Sequence, residues 1–183
     1  MIRGLKSEDA PLMLEWMLDS SVVKMMNRNF SEMTIEDCNS FIEQNKLPSD
    51  VDKDGLVEEL KKRGCAHLAI VDISDEYLGT VSLKNIDTES GTAEFAITIR
   101  SSAMGTGASA VGMSDILTLG HREMGLGIIY WYVNKENQRA IKFYDKCSYT
   151  RCTVSDLERF GVKLEDDLKN NPSYQWYVDI KEQ

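Results

Sequence analysis

The sequence predicts a single α/β domain with a central mixed, mostly antiparallel sheet flanked by helices. Three observations predict it. Residues 65–100 read as three consecutive strands joined by short turns, the pattern of an antiparallel meander. Helical periodicity dominates before residue 46 and alternates with strand-like runs after residue 107. The 183 residues, 42% hydrophobic and 28% charged, suit one globular domain with its own core.

The elements follow in order. Residues 2–6 form a short strand. Ser7-Glu8-Asp9 supplies an N-cap and an acidic first turn for a helix reaching about Leu18, with Leu12, Met13, Trp16 and Met17 on its apolar face. Residues 22–30 continue that methionine-rich stripe into a short helix and loop. Thr34-Ile35-Glu36-Asp37 resembles a capping box and opens a helix with Ile35, Cys38, Phe41 and Ile42 on one side. Residues 46–64 change character: Pro48 and Gly55 punctuate a loop, and residues 56–63 read as a short charged helix. Strands are expected at 65–73, 77–86 and 92–100. A glycine turn, a helix over 108–124 and an apolar strand over 127–133 come next. A helix over 137–147 and closing strands at 149–154 and 174–180 complete the pattern.

Composition narrows the function. A formal net charge of −9 argues against a nucleic-acid or anionic-membrane partner, because both require a basic face. It suits a cationic acceptor such as an amine, and it equally suits plain solubility. No run of 18 apolar residues occurs, so no membrane-spanning helix is expected. The opening Met1-Ile2-Arg3-Gly4-Leu5-Lys6 lacks the apolar run of a signal peptide, so a cytoplasmic location is the expectation. Cys38, Cys65, Cys147 and Cys152 form no CxxC pair, and His67 and His121 lie far apart, so no metal site is expected and the thiols read as free and mostly buried. Asp50, Asp52 and Asp54 alternate like the start of a calcium loop. Position 61, where that loop needs Glu, is Lys61, so residues 46–64 read as a solvated acidic insertion.

Two segments carry chemistry. Ser102-Ala103-Met104-Gly105-Thr106-Gly107-Ala108 leads from a strand into a helix. Its glycines permit a tight turn with consecutive exposed N–H groups, and the helix start adds a positive dipole end, which together suit a phosphate or pyrophosphate. A plain tight turn accounts for the glycines as well. No Gly-Lys-Ser/Thr follows, which excludes a P-loop. The preceding meander excludes the βαβ setting of a dinucleotide site. The second segment runs from Tyr132 to Tyr149: a strand ends in Asn134, and Asn137 then caps a helix carrying Arg139, Lys142 and Tyr144.

Together these segments resemble the two CoA-binding motifs of the GNAT acetyltransferase superfamily. The first is similar to its Gln/Arg-x-x-Gly-x-Gly/Ala pyrophosphate loop. The second is similar to its Asn-x-x-Asn-x-x-Ala-x-x-x-Tyr-x-x-x-Gly-Phe/Tyr segment. Leu14-Glu15-Trp16-Met17, Val22-Val23-Lys24 and Thr34-Ile35-Glu36-Asp37 are similar to enzymes that acetylate ribosomal-protein N-termini and to spermidine acetyltransferases. The likeness covers roughly residues 1–154; residues 46–64 and 155–173 fit it poorly.

The resemblance implies a domain plan and a set of roles. Residues 1–46 are acceptor-side helices, 46–64 an insertion, 65–154 the CoA-binding core and 155–183 a closing segment of one domain. The sheet splays where residues 95–100 leave the strand at 127–133, and the pantetheine arm of acetyl-CoA pairs with main chain near Ile97 and Ile99. The N–H groups of Met104, Gly105, Thr106, Gly107, Ala108 and Ser109 bind pyrophosphate. Asn134 and Asn137 contact the pantetheine or nucleotide end, with Arg139 and Lys142 near the phosphates. Tyr144 protonates the departing thiolate, and Glu94 draws a proton from the attacking amine through water. Trp16, Met25, Met26 and Phe30 line the acceptor pocket. Cys147, three residues past Tyr144, is expected to be packed.

Two positions depart from the family pattern. Ser102 replaces the Gln/Arg before the glycines, so the loop is held less tightly or braced differently. Ser148 replaces a glycine and carries strain if φ there is positive. The implied activity is transfer of an acetyl group from acetyl-CoA to a primary amine of a small molecule, of polyamine or amino sugar type, by direct attack. Acetylation of a peptide N-terminus and non-catalytic acyl-CoA binding are the alternatives. Homodimers are common in the superfamily.

Overall fold

The computed structural model describes residues 1–24, 26, 29–48 and 52–181. Among them one sheet carries the strands β1 (Ile2–Gly4), β2 (Ala66–Val71), β3 (Tyr77–Asp87), β4 (Thr92–Ile99), β5 (Ile128–Asn134), β6 (Thr150–Cys152) and β7 (Tyr174–Ile180). Their order is β1-β2-β3-β4-β5-β7-β6. The meander of β2, β3 and β4 is antiparallel, as expected. The β4–β5 pair is parallel. The last strand, β7, is antiparallel to both of its neighbours and lies between β5 and β6.

Alternation along the strands defines two faces. Leu68 and Ile70, Val81 and Leu83, Ala93 and Phe95, and Ile129 and Trp131 pack into one core with α5 (Ala108–Thr118) and α6 (Gln138–Lys146). Val57 and Leu60 of α4 (Lys53–Arg63) join the same core. The opposite face is covered in two patches. Ala69, Val71 and Tyr77 pack against α1 (Ala10–Leu18), α2 (Ser20–Val23) and α3 (Ile35–Asn45). Tyr130, Trp176 and Val178 pack against Leu157 of α7 (Val154–Arg159) and Val162. Met13, Ile42 and Leu157 are almost fully buried, each contributing about 1.5–3 kcal/mol of transfer free energy.

Several boundaries differ from the sequence reading, each for a local reason. The first strand stops at Gly4, because Lys6 N–H donates to Asp9 Oδ2 at 2.9 Å and starts a 3₁₀ turn over Ser7–Asp9. Asp9 rather than Ser7 therefore organises this helix start; it is 2% exposed and gripped by two nitrogens of Arg3 at 2.7 and 2.8 Å. Thr34 and Asp37 form the expected capping box. In the insertion, Asp52 Oδ1 accepts from Gly55 N–H at 2.9 Å, so α4 begins at Lys53 and Gly55 lies in its first turn instead of a loop. Asp52 is thus a cap; Asp50 lies outside the described residues. The long helix after the glycines changes at Thr118 into a π-turn, Leu119–Glu123, where Gly120 is pressed so closely on Ile129 that a Cβ would sit 2.6 Å from its Cδ1.

The closing segment holds more structure than was read from it. Thr153 and Asp156 form a second capping box for α7, and α8 (Asp166–Lys169) follows. The Thr-x-x-Asp spacing at 153–156 is the signal that predicts this helix, because a β-region hydroxyl at N-cap and an acid at N3 satisfy each other's N–H groups.

Candidate functional site

The site is a seam in the sheet. Strands β4 and β5 pair over three residues: Thr92 with Ile128, Ala93 with Ile129 and Glu94 with Tyr130. Beyond that register β4 continues to Ile99 paired with β3, and β5 continues to Asn134 paired with β7. Their facing edges, from Phe95 on one side and Trp131 on the other, are unpaired with each other. Ile97 and Ile99 lie on this open stretch of β4, half-buried and buried respectively.

The glycine turn stands where β4 ends. Arg100 leads into a 3₁₀ turn, Ser101–Ala103, and the chain then passes through Gly105 at φ 85° and Gly107 at φ 91° into α5. Both angles belong to the left-handed region that a Cβ disfavours, and no atom lies within 4 Å of where a Cβ would stand on either residue. Met104 N–H donates to Ser101 O, Thr106 N–H to Ala103 O and Ala108 N–H to Thr106 Oγ1. The N–H groups of Gly105, Gly107 and Ser109 find no acceptor among the described residues. The turn therefore presents free donors at a helix start, on exposed backbone.

Ser102 is exposed and does not brace this turn. Arg100 does. Its guanidinium, 7% exposed, binds both carboxylate oxygens of Glu15 at 2.9 and 3.1 Å, Glu76 Oε1 at 2.9 Å and Tyr77 O at 3.0 Å. One planar cation thus ties the end of β4 to α1 and to the start of β3. This brace was not read from the sequence. An arginine closing an apolar strand is its only local trace.

Across the seam, Asn134 and Asn137 hold local structure. Asn134 Oδ1 accepts from Glu136 N–H at 2.9 Å, and Asn137 Oδ1 accepts from Ala140 N–H at 3.1 Å as the N-cap of α6. Arg139 is exposed and reaches Met104 Sδ, which brings α6 against the glycine turn. Lys142 is exposed on α6.

Tyr144 is 6% exposed, within a cluster of rings: Trp131 at 5.4 Å, Phe143 at 5.4 Å, Tyr149 at 6.4 Å and Tyr177 at 5.1 Å between centroids. Its hydroxyl makes no hydrogen bond among the described residues. Burial, then the neighbouring Tyr177 and Tyr149, push its pKa well above the ordinary phenol value, so it stays protonated. Trp131 Nε1, next to it, is buried with no partner among the described residues. Ser148 has φ 62°, the strained conformation anticipated at that position. Cys147 does not pack as expected. It is exposed, because it is the C-cap of α6 and the chain turns there toward β6.

Glu94 occupies the last paired position, on the opposite face from Tyr144. It is 5% exposed; Oε1 lies 2.6 Å from Lys84 Nζ, and Oε2 accepts from Asn85 Nδ2 at 3.0 Å. Asn85 reaches it because β3 bulges after Lys84 and Asn85 adopts φ 50°. Tyr130 and Tyr132 flank Glu94, and burial followed by its charge raises both phenol pKa values, that of Tyr132 to about 12.

On the acceptor side, Trp16 and Phe30 are buried, 5.5 Å apart edge to face, and Trp16 Nε1 donates to Tyr77 OH at 3.0 Å. Met26 packs on the same cluster, half-buried. Met25 lies outside the described residues. Trp16 and Phe30 thus belong to the core under α1 and α3. Two surface cavities, of about 400 and 330 Å³, lie elsewhere, by α4 and along residues 163–167.

This sheet, with its seam and glycine turn, has relatives. Residues 1–150 match the acetyltransferase (GNAT) domain. The chain belongs to the GNAT acetyltransferase family. It is an acyl-CoA-dependent N-acetyltransferase. An uncharacterized N-acetyltransferase of Bacillus licheniformis, p20, is 24% identical over 166 residues, 90% of this chain and 87% of that protein. The acetyltransferase also shares its fold with spermidine N-acetyltransferase from Vibrio cholerae, solved in complex with CoA and spermine (TM-score 0.71, 15% identity, 99% of this chain and 95% of that one). A GNAT-family acetyltransferase from Bacillus anthracis is equally similar (TM-score 0.71, 17% identity, 100% and 95%). Among the described residues of this GNAT chain, no helix is long and apolar enough to cross a membrane, and no group of three or more His, Cys, Asp or Glu is placed to hold a metal ion.

Proposed function

We propose that this acetyltransferase moves an acetyl group from acetyl-CoA to the primary amine of a small molecule, of polyamine or amino sugar type, by direct attack. The observation that carries the reading is the seam. It offers an unpaired strand edge beside free turn donors, with a buried phenol on one face and a buried carboxylate on the other. These features fit CoA. The unpaired N–H groups of Gly105, Gly107 and Ser109 suit a pyrophosphate, and the open edge at Ile97 and Ile99 suits an amide-bearing arm.

In this reading Met104, Gly105, Thr106, Gly107, Ala108 and Ser109 hold the pyrophosphate. Arg139 and Lys142 add positive charge nearby, in a chain whose net charge is −9. Asn134 and Asn137 orient the arm by shaping the start of α6. Tyr144 donates its proton to the leaving thiolate, and Glu94 draws the proton from the attacking amine through water. Fixing both reactants at one seam supplies much of the rate enhancement, and a general acid adds about 10²–10⁴-fold. Trp16, Met26 and Phe30 support the acceptor side, together with Met25. The spermine complex of the Vibrio cholerae neighbour favours a polyamine among the candidate acceptors.

Thiol release from acetyl-CoA, measured across polyamines, amino sugars and short peptides, tests this. Turnover confined to peptide N-termini replaces the small-molecule reading with the protein one. Tight CoA binding without turnover of any amine removes catalysis altogether.

A further inference from the structure

The Glu94 carboxylate already holds a primary ammonium, and that ammonium is the chain's own. Lys84 Nζ lies 2.6 Å from Glu94 Oε1, the second oxygen accepts from Asn85, and Lys84 and Glu94 are directly paired across β3 and β4. The two partners differ in freedom. The Glu94 side chain is 7% exposed and the Lys84 side chain 38% exposed, so a fixed carboxylate is met by a cation arriving from solvent on a flexible stem.

The surroundings are those of an ammonium site. Register places Lys84, Glu94 and Tyr130 side by side across the sheet, between the patch covered by α1 and α3 and the patch covered by α7. Tyr130 and Tyr132 stand next to the carboxylate. His67, on β2, lies on the same face with Nδ1 on Ser82 Oγ at 2.8 Å; burial, then Lys84, lower its pKa, so it does not compete as a cation. Glu94 is also the last paired residue before the seam opens, adjacent to where the proposed thioester arm enters.

We propose that Glu94 is the recognition site for the acceptor's ammonium and that Lys84 is an intramolecular occupant which the acceptor displaces. The proposal rests on the reading of the seam as an amine acetylation site. It assigns selectivity to Lys84: a cationic amine can exchange with it on Glu94, whereas an alcohol or other neutral nucleophile cannot. Because Lys84 fills the site for part of the time, the acceptor's apparent affinity is lowered by the fraction of molecules in which Glu94 is free.

The test uses three variants, Lys84→Met, Lys84→Arg and Glu94→Gln, with the CoA dissociation constant and the melting temperature as controls for folding. With spermidine as acceptor, Lys84→Met is expected to lower KM by about fivefold with kcat held within about twofold, by release of the competing cation. Lys84→Arg, which grips the carboxylate with a fork, is expected to raise KM. In a Glu94→Gln background, calorimetric binding of spermidine to the CoA complex is expected to be the same with and without Lys84→Met. A merely structural ion pair would not give opposite signs for Met and Arg. Overturning results are a KM indifferent to Lys84→Met, a KM raised by it, or a tightening of spermidine binding that persists without Glu94. If the wild type acetylates a peptide N-terminus and not spermidine, the small-molecule reading fails, while the same shifts are expected with the peptide. If neither is turned over, calorimetric binding of spermidine to the CoA complex decides: tighter binding by Lys84→Met supports the site, and equal binding overturns it.

Discussion

The two faces of the seam bury polar groups to a similar depth and treat them in opposite ways. Tyr144 is 6% exposed among aromatic rings and its hydroxyl has no partner among the described residues. Glu94 is 5% exposed and both of its oxygens are engaged, by Lys84 and Asn85. A neutral phenol tolerates an apolar wall, whereas a carboxylate there demands a counter-charge. The difference separates the two tasks of the proposed reaction. In that proposal the apolar face keeps a proton donor for the leaving group, and the charged face keeps a cation site that Lys84 fills.

The comparison can be broken at several points. The largest expected effect is that of Tyr144→Phe: kcat falls about 100-fold, KM for acetyl-CoA barely changes, and the melting temperature holds because no intramolecular hydrogen bond is lost. Steady-state kinetics with thermal melts check this, and an unchanged kcat takes Tyr144 out of the mechanism. On the charged face, Arg100→Met removes the brace among Glu15, Glu76 and Tyr77 O. It is expected to cost about 2 kcal/mol, discounted for the half-exposed partners, and to weaken CoA binding because the turn loses its anchor. Urea unfolding and CoA titration measure the two losses; a stability loss with CoA affinity intact would make Arg100 purely structural.

Smaller effects sharpen the picture of the aromatic face. Ser148→Gly relieves a left-handed serine behind Tyr144 and should stabilise by up to about 1 kcal/mol, the glycine's greater unfolded freedom offsetting part of the gain. Urea midpoints test the sign. His121 is the polar exception beneath this face, with Nδ1 on Leu126 O and Nε2 3.0 Å from Asp179. Burial opposes its charge, but the hydrogen bonds to Asp179 and Leu126 prevail and raise its pKa above 6.5. A raised folded pKa means that its stabilisation is full below the unfolded value and is lost as pH rises through the folded one. His121→Gln should therefore lower the melting temperature more at pH 5.5 than at pH 8.5. An equal loss at both would show that the pair does not titrate.

Much of the apolar face was legible and little of the charged one. The glycine turn, the Asn137 cap and the placement of Tyr144 on α6 all follow from neighbours within a few residues. So do the capping boxes at Thr34 and Thr153, each a Thr-x-x-Asp spacing closed within one turn. Glu94 was recognised as a candidate, but its partners Lys84 and Asn85 arrive through strand register and a bulge. Arg100 works through Glu15, 85 positions earlier in the chain. The helical stripe shows Trp16 on the apolar face of α1, but not that its indole donates to Tyr77, 61 residues away.

The residues alone determined the order of the main strands and helices, the caps at Thr34 and Asn137, the glycine turn and the resemblance to an acetyltransferase, because each depends on dihedral preferences and hydrogen bonds closed over short separations. Tertiary structure decided where β4 and β5 part, that β7 enters between β5 and β6, and that Tyr144 and Glu94 lie on opposite faces of one opening. Those outcomes depend on register between strands far apart in the chain, where shifting the pairing by one residue would exchange the two faces of the sheet.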